Sequence, residues 1–178
     1  MLAPGHLATG YLISMAVIKL LNPPVAPDQL STLILVGMLA AIAPDIDLFK
    51  FYYHDRKKGE TSLQRHRDYL THAPVLWLIA GLGIFLISNN PILKYSGLLI
   101  WLGSWSHFVM DTFEIGIMWK WPLSKKRHAL RPVVDLPIQQ SDKVLRHFLS
   151  VVRKYMRSIT FYAEVLVIVA AILVYALQ

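Results

Sequence analysis

The sequence has no cysteine and few charged residues, and both shortages limit what the chain can be. Without cysteine it forms no disulfide bond and offers no thiolate ligand to a metal ion. Charged residues make up 16% of the 178 residues, whereas soluble domains average about 25%. Hydrophobic residues make up 55%, and the mean hydropathy is +0.46. This composition indicates one domain that lies in a lipid bilayer.

Acidic residues are also scarce relative to basic ones, which gives a formal net charge of +7. The lysines and arginines lie mainly in two loops, 50–71 and 118–158. Because cytoplasmic loops of membrane proteins carry such an excess, both loops are predicted to be cytoplasmic, with the N-terminus inside and the C-terminus outside. We expect these residues to contact anionic lipid and expect no direct contact with nucleic acid. The N-terminus has no basic segment typical of a cleaved signal peptide.

Five apolar segments predict an all-α, polytopic helical bundle of about five membrane spans in a single domain, 1–178. The segments are Leu7–Leu21, Leu30–Phe49, Ala73–Ser88, Ile92–Ile117 and Ile159–Leu177. A span needs about 20 mostly apolar residues, so the first and third segments are short. The basic loop 118–158 separates the last two spans.

Within that loop, Ser141–Arg157 shows apolar residues at helical spacing opposite a basic face. The pattern predicts an amphipathic helix that lies on the cytoplasmic leaflet. The alternative is a helix packed in a small cytosolic lobe.

The residues able to do chemistry collect at one membrane face. Ionisable groups near a bilayer are costly and usually functional, and four separate segments bring them to the same depth. The candidates are His6 at the start of the first span, Asp45 and Asp47 at the end of the second, His66, Arg67 and His72 before the third, and His107 and Asp111 in the fourth.

Imidazole and carboxylate groups are the ligands that Zn²⁺ and similar ions use, so these residues predict a divalent metal site, with Zn²⁺ favoured and Mn²⁺ as the other candidate. His107 and Asp111 are four residues apart on a helix and therefore share one face. The same pair could instead form a structural hydrogen bond between helices. Asp47 could end a helix, accept a hydrogen bond from a ligand, or be a ligand itself. Arg67 is placed to hold an anion.

Five short motifs occur in a fixed order along the chain. They are Gly5–Gly10 (GHLATG), Pro44–Asp47 (PDID), His66–Arg67 followed by Thr71–His72, Ser106–Asp111 (SHFVMD) and Trp121–Leu123 (WPL). In this order they resemble the YdjM-like family, which is described as inner-membrane, metal-dependent hydrolases and as LexA-binding. The resemblance runs from about Gly5 to Leu123.

Two departures from the family pattern bear on the site. Three residues separate Arg67 from Thr71, one more than in the family, and Ala73 stands where the family has serine. They leave open whether His66 or His72 is the ligand.

The order of histidines and aspartates is also similar to the ligand order of zinc-dependent phospholipase C and related nucleases. That similarity implies one metal held by Asp45, His107, Asp111 and either His72 or His66. It implies a second metal held partly by His6, with Asp111 bridging the two.

The resulting hypothesis is a membrane-bound, metal-dependent hydrolase that acts on an amphiphilic, lipid-like phosphoester at the cytoplasmic face of the inner membrane. Arg67 would hold the phosphate, and Asp47 or a ligand carboxylate would accept the proton. The alternative is a non-catalytic anchor whose basic loops recruit a regulatory protein. A transporter ranks third, because such proteins place their sites near the midplane between repeated halves.

Overall fold

The computed structural model describes residues 2–55, 63–113, 116–131, 153 and 155–177. Five long helices make up most of this part of the chain, which confirms the all-α prediction. They are α1 (Ala3–Leu21), α2 (Pro27–Ile42), α3 (Pro74–Ile87), α4 (Pro91–Thr112) and α5 (Ile159–Ala176). Short helical segments follow α2 and precede α3: Ala43–Ile46, Asp47–Lys50 and Phe51–Asp55, then Leu63–Asp68 and Leu70–His72.

Local sequence explains where the long helices begin. Proline lies in the first turn of α1, α2, α3 and α4, where a backbone N–H would have no partner within the helix. Asn90 caps α4 by accepting the N–H groups of Ile92 and Leu93, and Ser158 caps α5 by accepting one N–H group.

Three helices of the described residues are long and apolar enough to cross a membrane. They are α1, α5 and the run Pro27–Lys50, which joins α2 to the short segments after it. Of the five or so spans expected, three are therefore candidate membrane spans by length and composition. The 14 residues of α3 extend only about 21 Å, less than the hydrocarbon thickness of about 30 Å. In α4, buried polar residues such as His107 and Asp111 lower the hydropathy.

The predicted end of the fourth span is wrong. The helix ends at Thr112 rather than Ile117. Gly116 has a φ of 87°, and the backbone of Ile117 pairs with that of His128 in an isolated antiparallel bridge. The chain therefore turns back after α4 instead of continuing as a helix. The predicted amphipathic helix, Ser141–Arg157, falls almost entirely outside the described residues.

The helices pack closely through glycine. α4 contacts α1, α2 and α3, and α1 also packs against α2 and α5. A Cβ atom at Gly37 of α2 would lie 2.0 Å from the Ser14 hydroxyl of α1. A Cβ at Gly81 of α3 would lie 2.6 Å from the carbonyl oxygen of Gly97 in α4. Small residues let helix backbones approach where the lipid supplies no hydrophobic driving force.

The two ends of the bundle differ in character. Val17, Leu33 and Leu99 form an apolar cluster between α1, α2 and α4. The start of α1, the segment after α2, the start of α3 and the second half of α4 meet at the other end, and there the buried side chains include histidine, aspartate and arginine.

Candidate metal centre

His6 reaches the site because the start of α1 is fastened to α5. The first N–H groups of a helix have no partner within it. Here the Glu164 carboxylate of α5 accepts the N–H groups of Leu2 and Gly5 at 3.2 and 3.1 Å. A Cβ at Gly5 would lie 2.7 Å from Glu164 Cγ, so glycine is needed for this approach. The next residue, His6, is completely buried.

The two aspartates come from the turn that follows α2. Pro44 opens the segment Ala43–Ile46, which carries Asp45, and Asp47 begins the next helical turn. Asp47 is buried, whereas the Asp45 side chain is 22% exposed. Asp45 is therefore the more exposed of the two carboxylates.

The segments before α3 supply His66, Arg67 and His72, all buried. Trp77 donates its indole N–H to the Thr71 carbonyl at 2.7 Å, which fixes the backbone next to His72. His107 and Asp111 lie on one face of α4, as their spacing predicts, and both are buried.

Three imidazoles converge on one carboxylate oxygen. Asp45 Oδ1 lies 3.5 Å from His66 Nε2, 3.5 Å from His72 Nε2 and 3.6 Å from His107 Nε2. Ligand atoms that bind zinc tetrahedrally at 2.0–2.2 Å are separated by about 3.3–3.6 Å. The observed separations match that spacing.

In two of these histidines the other ring nitrogen, Nδ1, has a hydrogen-bond partner. His72 Nδ1 lies 2.8 Å from Asp47 Oδ2, which also accepts the Thr71 hydroxyl. His107 Nδ1 donates to the carbonyl oxygen of Ala41 at 2.9 Å. A proton on Nδ1 leaves the Nε2 lone pair directed at Asp45, and metal-binding histidines are oriented in this way.

A second group of ligand types adjoins the first. His6, His107 and Asp111 each place a donor atom within 4.8 Å of the others. The rings of His6 and His107 stack with centroids 4.0 Å apart. Arg67 donates its Nε to Asp111 Oδ2 at 2.6 Å, so a cation already neutralises this carboxylate.

Buried polar atoms without partners are expensive, and here they cluster. Within the described part of the chain, no hydrogen bond reaches His6 Nδ1, His6 Nε2, Asp45 Oδ1, Asp47 Oδ1, His72 Nε2 or His107 Nε2. A divalent cation would satisfy several of these atoms at once, so the residues present fit a metal ion.

The charge environment of His72 is set by its neighbours. Burial lowers its pKa, but the carboxylates of Asp45 and Asp47 raise it more, so the pKa lies above the usual value for histidine. The same carboxylates would stabilise a positive metal ion at Nε2.

The structure thus brings all eight predicted site residues into one cluster, which is buried apart from the partly exposed Asp45. The sequence left open whether His66 or His72 is the ligand. In the structure both histidines face Asp45. Glu164 is not among the residues predicted from the sequence. Its signal is that it is the single charged residue in the apolar run Ile159–Ala176.

Comparison with known proteins supports the family resemblance over more of the chain than the motifs cover. Searches of curated proteins and of solved structures gave no significant match. The family model of the YdjM inner membrane protein matches residues 1–178, the whole chain. The protein therefore belongs to the YdjM inner membrane protein family.

Proposed function

We propose that this protein is a membrane-bound, metal-dependent hydrolase that acts on an amphiphilic phosphoester at the membrane surface. The observation that carries the proposal is the convergence of three imidazole Nε2 atoms on Asp45 Oδ1 at 3.5–3.6 Å. Two of those rings are oriented by hydrogen bonds at Nδ1. A cluster built only for stability would pair these atoms with one another or bury apolar groups instead.

The ligands of a first metal ion would be Asp45, His66, His72 and His107. His6 and Asp111 would help to hold a second ion beside it, because both place a donor atom within 4.8 Å of His107. Nitrogen and oxygen donors suit Zn²⁺, with Mn²⁺ as the alternative.

When bound, a metal ion of this kind would polarise an ester and lower the pKa of a coordinated water toward about 7. Around it, Asp47 Oδ2 keeps the His72 ring in position. Asp47 Oδ1 has no hydrogen-bond donor among the described residues, so it is the atom we assign to proton acceptance.

Arg67 would bind the phosphate of the substrate. Its Nε donates to Asp111, which fixes the plane of the guanidinium group. The terminal nitrogens of the same group then present donors in the fork that suits phosphate oxygens. Arg67 is buried beside the cluster, so it would meet a substrate that has reached the ligands.

The position of the cluster favours a lipid-like substrate. It lies at the ends of α1, α2 and α4, two of which belong to candidate spans. An amphiphile concentrates at that depth of a membrane, whereas a soluble ester does not. The cytoplasmic orientation rests on the distribution of basic residues and is part of the proposal.

Turnover by the detergent-purified, zinc-loaded protein on short-chain phospholipids and soluble phosphodiesters tests this proposal. Asp45→Asn removes the charge at the convergence point and keeps the shape, so hydrolysis should fall to background. Asp28→Asn makes the same change at an exposed position at the start of α2 and should leave hydrolysis intact.

Activity on soluble diesters with none on lipids would refute the lipid-like substrate. Metal binding without turnover on any phosphoester would refute the hydrolase and favour an anchor that recruits a regulatory protein.

A further inference from the structure

A cavity of about 530 Å³ lies directly beside the metal centre. Asp47 and Thr71 form part of its wall. The Thr71 hydroxyl donates a hydrogen bond to Asp47, the carboxylate that faces His72. Its size is within the range of about 300–1,000 Å³ that small-molecule sites occupy. The cavity therefore offers room for a chemical group next to the ligands and outside the cluster itself.

Two lysines give this cavity its charge. Lys50 and Lys125 both line it and reach it from different segments of the chain. Lys50 Nζ lies 4.3 Å from the centre of the Tyr69 ring, a cation–π contact that holds the ammonium group at the wall. Among the described residues, neither lysine lies within 4.0 Å of a carboxylate oxygen.

Each acidic residue of the wall has a partner at one of its oxygens. Asp47 accepts the Thr71 hydroxyl and faces His72 through Oδ2, and Asp68 lies 3.5 Å from Arg127 Nε. The two lysines are the cations of the wall that remain to meet an anionic ligand. Ammonium groups of this kind bind phosphate as point charges.

Exposed leucines lie in the wall of the cavity and close to it in the chain. Leu70 in its wall is 55% exposed, and Leu123, two residues after the wall residue Trp121, is 95% exposed. Exposed leucines next to lysines and a tryptophan are typical of a surface that meets the interface of a bilayer. An amphiphile could enter there with its charged group first.

We propose that this cavity binds the phosphate-bearing headgroup of an amphiphile, with Lys50 and Lys125 as its two positive charges. The inference rests on the proposed function in one respect, that the bound molecule is the substrate of the adjacent metal centre. It adds that the substrate carries two features. One is the bond that is cleaved, and the other is an anionic phosphate group held beside the metal ligands.

Thermal unfolding of the full chain in detergent tests the cavity separately from the metal. The protein is first treated with a chelator, because phosphate also binds metal ions. Inorganic phosphate, glycerol 3-phosphate and a short-chain phosphatidic acid are then titrated as probes. The midpoint should rise with a phosphate-bearing probe, and the apparent Kd should weaken at least about fivefold in Lys50→Gln and in Lys125→Gln.

Lys126→Gln is the matched control, since it removes the same charge from an exposed neighbour that does not line the cavity. Its unfolding midpoint should respond to the probes as that of the wild type does. A response to all three probes shows that the phosphate group is sufficient, and a response to phosphatidic acid alone shows that the acyl chains are required as well. Both results support the proposal.

Absence of a response to every probe, or an equal response in all four proteins, would overturn it. Lysine-dependent binding in a protein that hydrolyses nothing would retain the cavity and refute the hydrolase. Hydrolysis that is insensitive to both lysine substitutions would retain the hydrolase and refute the cavity as the phosphate site.

Discussion

Replacing Glu164 tests how the first helix is held in the site. Glu164 is 4% exposed and is the single charged residue of α5. Its oxygens accept the backbone N–H groups of Leu2 and Gly5, and the Tyr155 hydroxyl also donates to it. Glu164→Ala removes all three contacts at once and leaves the start of α1 without a cap.

The expected cost follows from these contacts. A hydrogen bond to a charged group contributes about 1.5–3 kcal/mol, and loss of a helix N-cap costs about 0.5–2 kcal/mol. Because α1 begins near the end of the bundle, water would satisfy part of the freed N–H groups. We therefore expect Glu164→Ala to lower the free energy of unfolding by about 2–4 kcal/mol. Glu164→Gln keeps one acceptor oxygen and should cost about half as much.

Thermal unfolding of the detergent-solubilised variants measures this effect. The midpoint should fall by roughly 5–15 °C in Glu164→Ala, since about 2–4 °C per kcal/mol is usual for a chain of this size. Tyr155→Phe, which removes only the hydroxyl, should give the smallest fall, and Glu164→Gln an intermediate one. If Glu164→Ala melts with the wild type, the carboxylate does not hold α1 and the reasoning is wrong.

Three further predictions follow from the packing and the site. Gly37→Ala should destabilise the protein by about 1–3 kcal/mol, because the added Cβ would lie 2.0 Å from a serine hydroxyl of α1. Gly83→Ala is its control and should not lower the melting midpoint, since a Cβ there meets no described atom within 4 Å. Asp47→Asn should weaken zinc affinity about 10–100-fold in a competitive chelator titration, because it loosens His72; an unchanged affinity would contradict that role. Arg67→Gln should lower turnover by about 100-fold with metal content unchanged, and loss of metal instead would assign Arg67 to structure.

The long helices and the location of the site were predictable from local signals. Apolar length marked the helices, proline marked their beginnings, and the four-residue spacing of His107 and Asp111 placed both on one face. The remaining histidines and aspartates fell at segment ends on one side of the bundle. Such features depend on residues close together in sequence, so a single sequence reveals them.

The end of α4 was not predictable from hydropathy. The apolar pattern continues through Ile117, but the helix stops at Thr112 because the chain turns back at Gly116 and pairs with His128. That pairing joins residues 11 positions apart through the backbone. Side-chain hydropathy carries no signal for it.

The contacts that orient the ligands also escaped the sequence. The Ala41 carbonyl that holds His107 is a backbone atom 66 residues away. Glu164 meets Gly5 across 159 residues. Whether His66 or His72 faces Asp45 depended on how two short helical segments fold, and the structure places both there. Long-range pairs of this kind appear only once the helices are packed.

Metal content of the detergent-purified protein, after reconstitution with zinc or manganese, tests the central claim most directly. His107 is a proposed ligand of the first ion and lies beside His6 and Asp111, the proposed ligands of the second, so His107→Ala should lower the metal content. His54→Ala, at an exposed histidine that is not a proposed ligand, is the matched control. The account predicts one or two equivalents of metal in the wild type and in His54→Ala, and little in His107→Ala. A wild-type protein that stays free of metal would contradict it and leave the cluster as a network of structural hydrogen bonds.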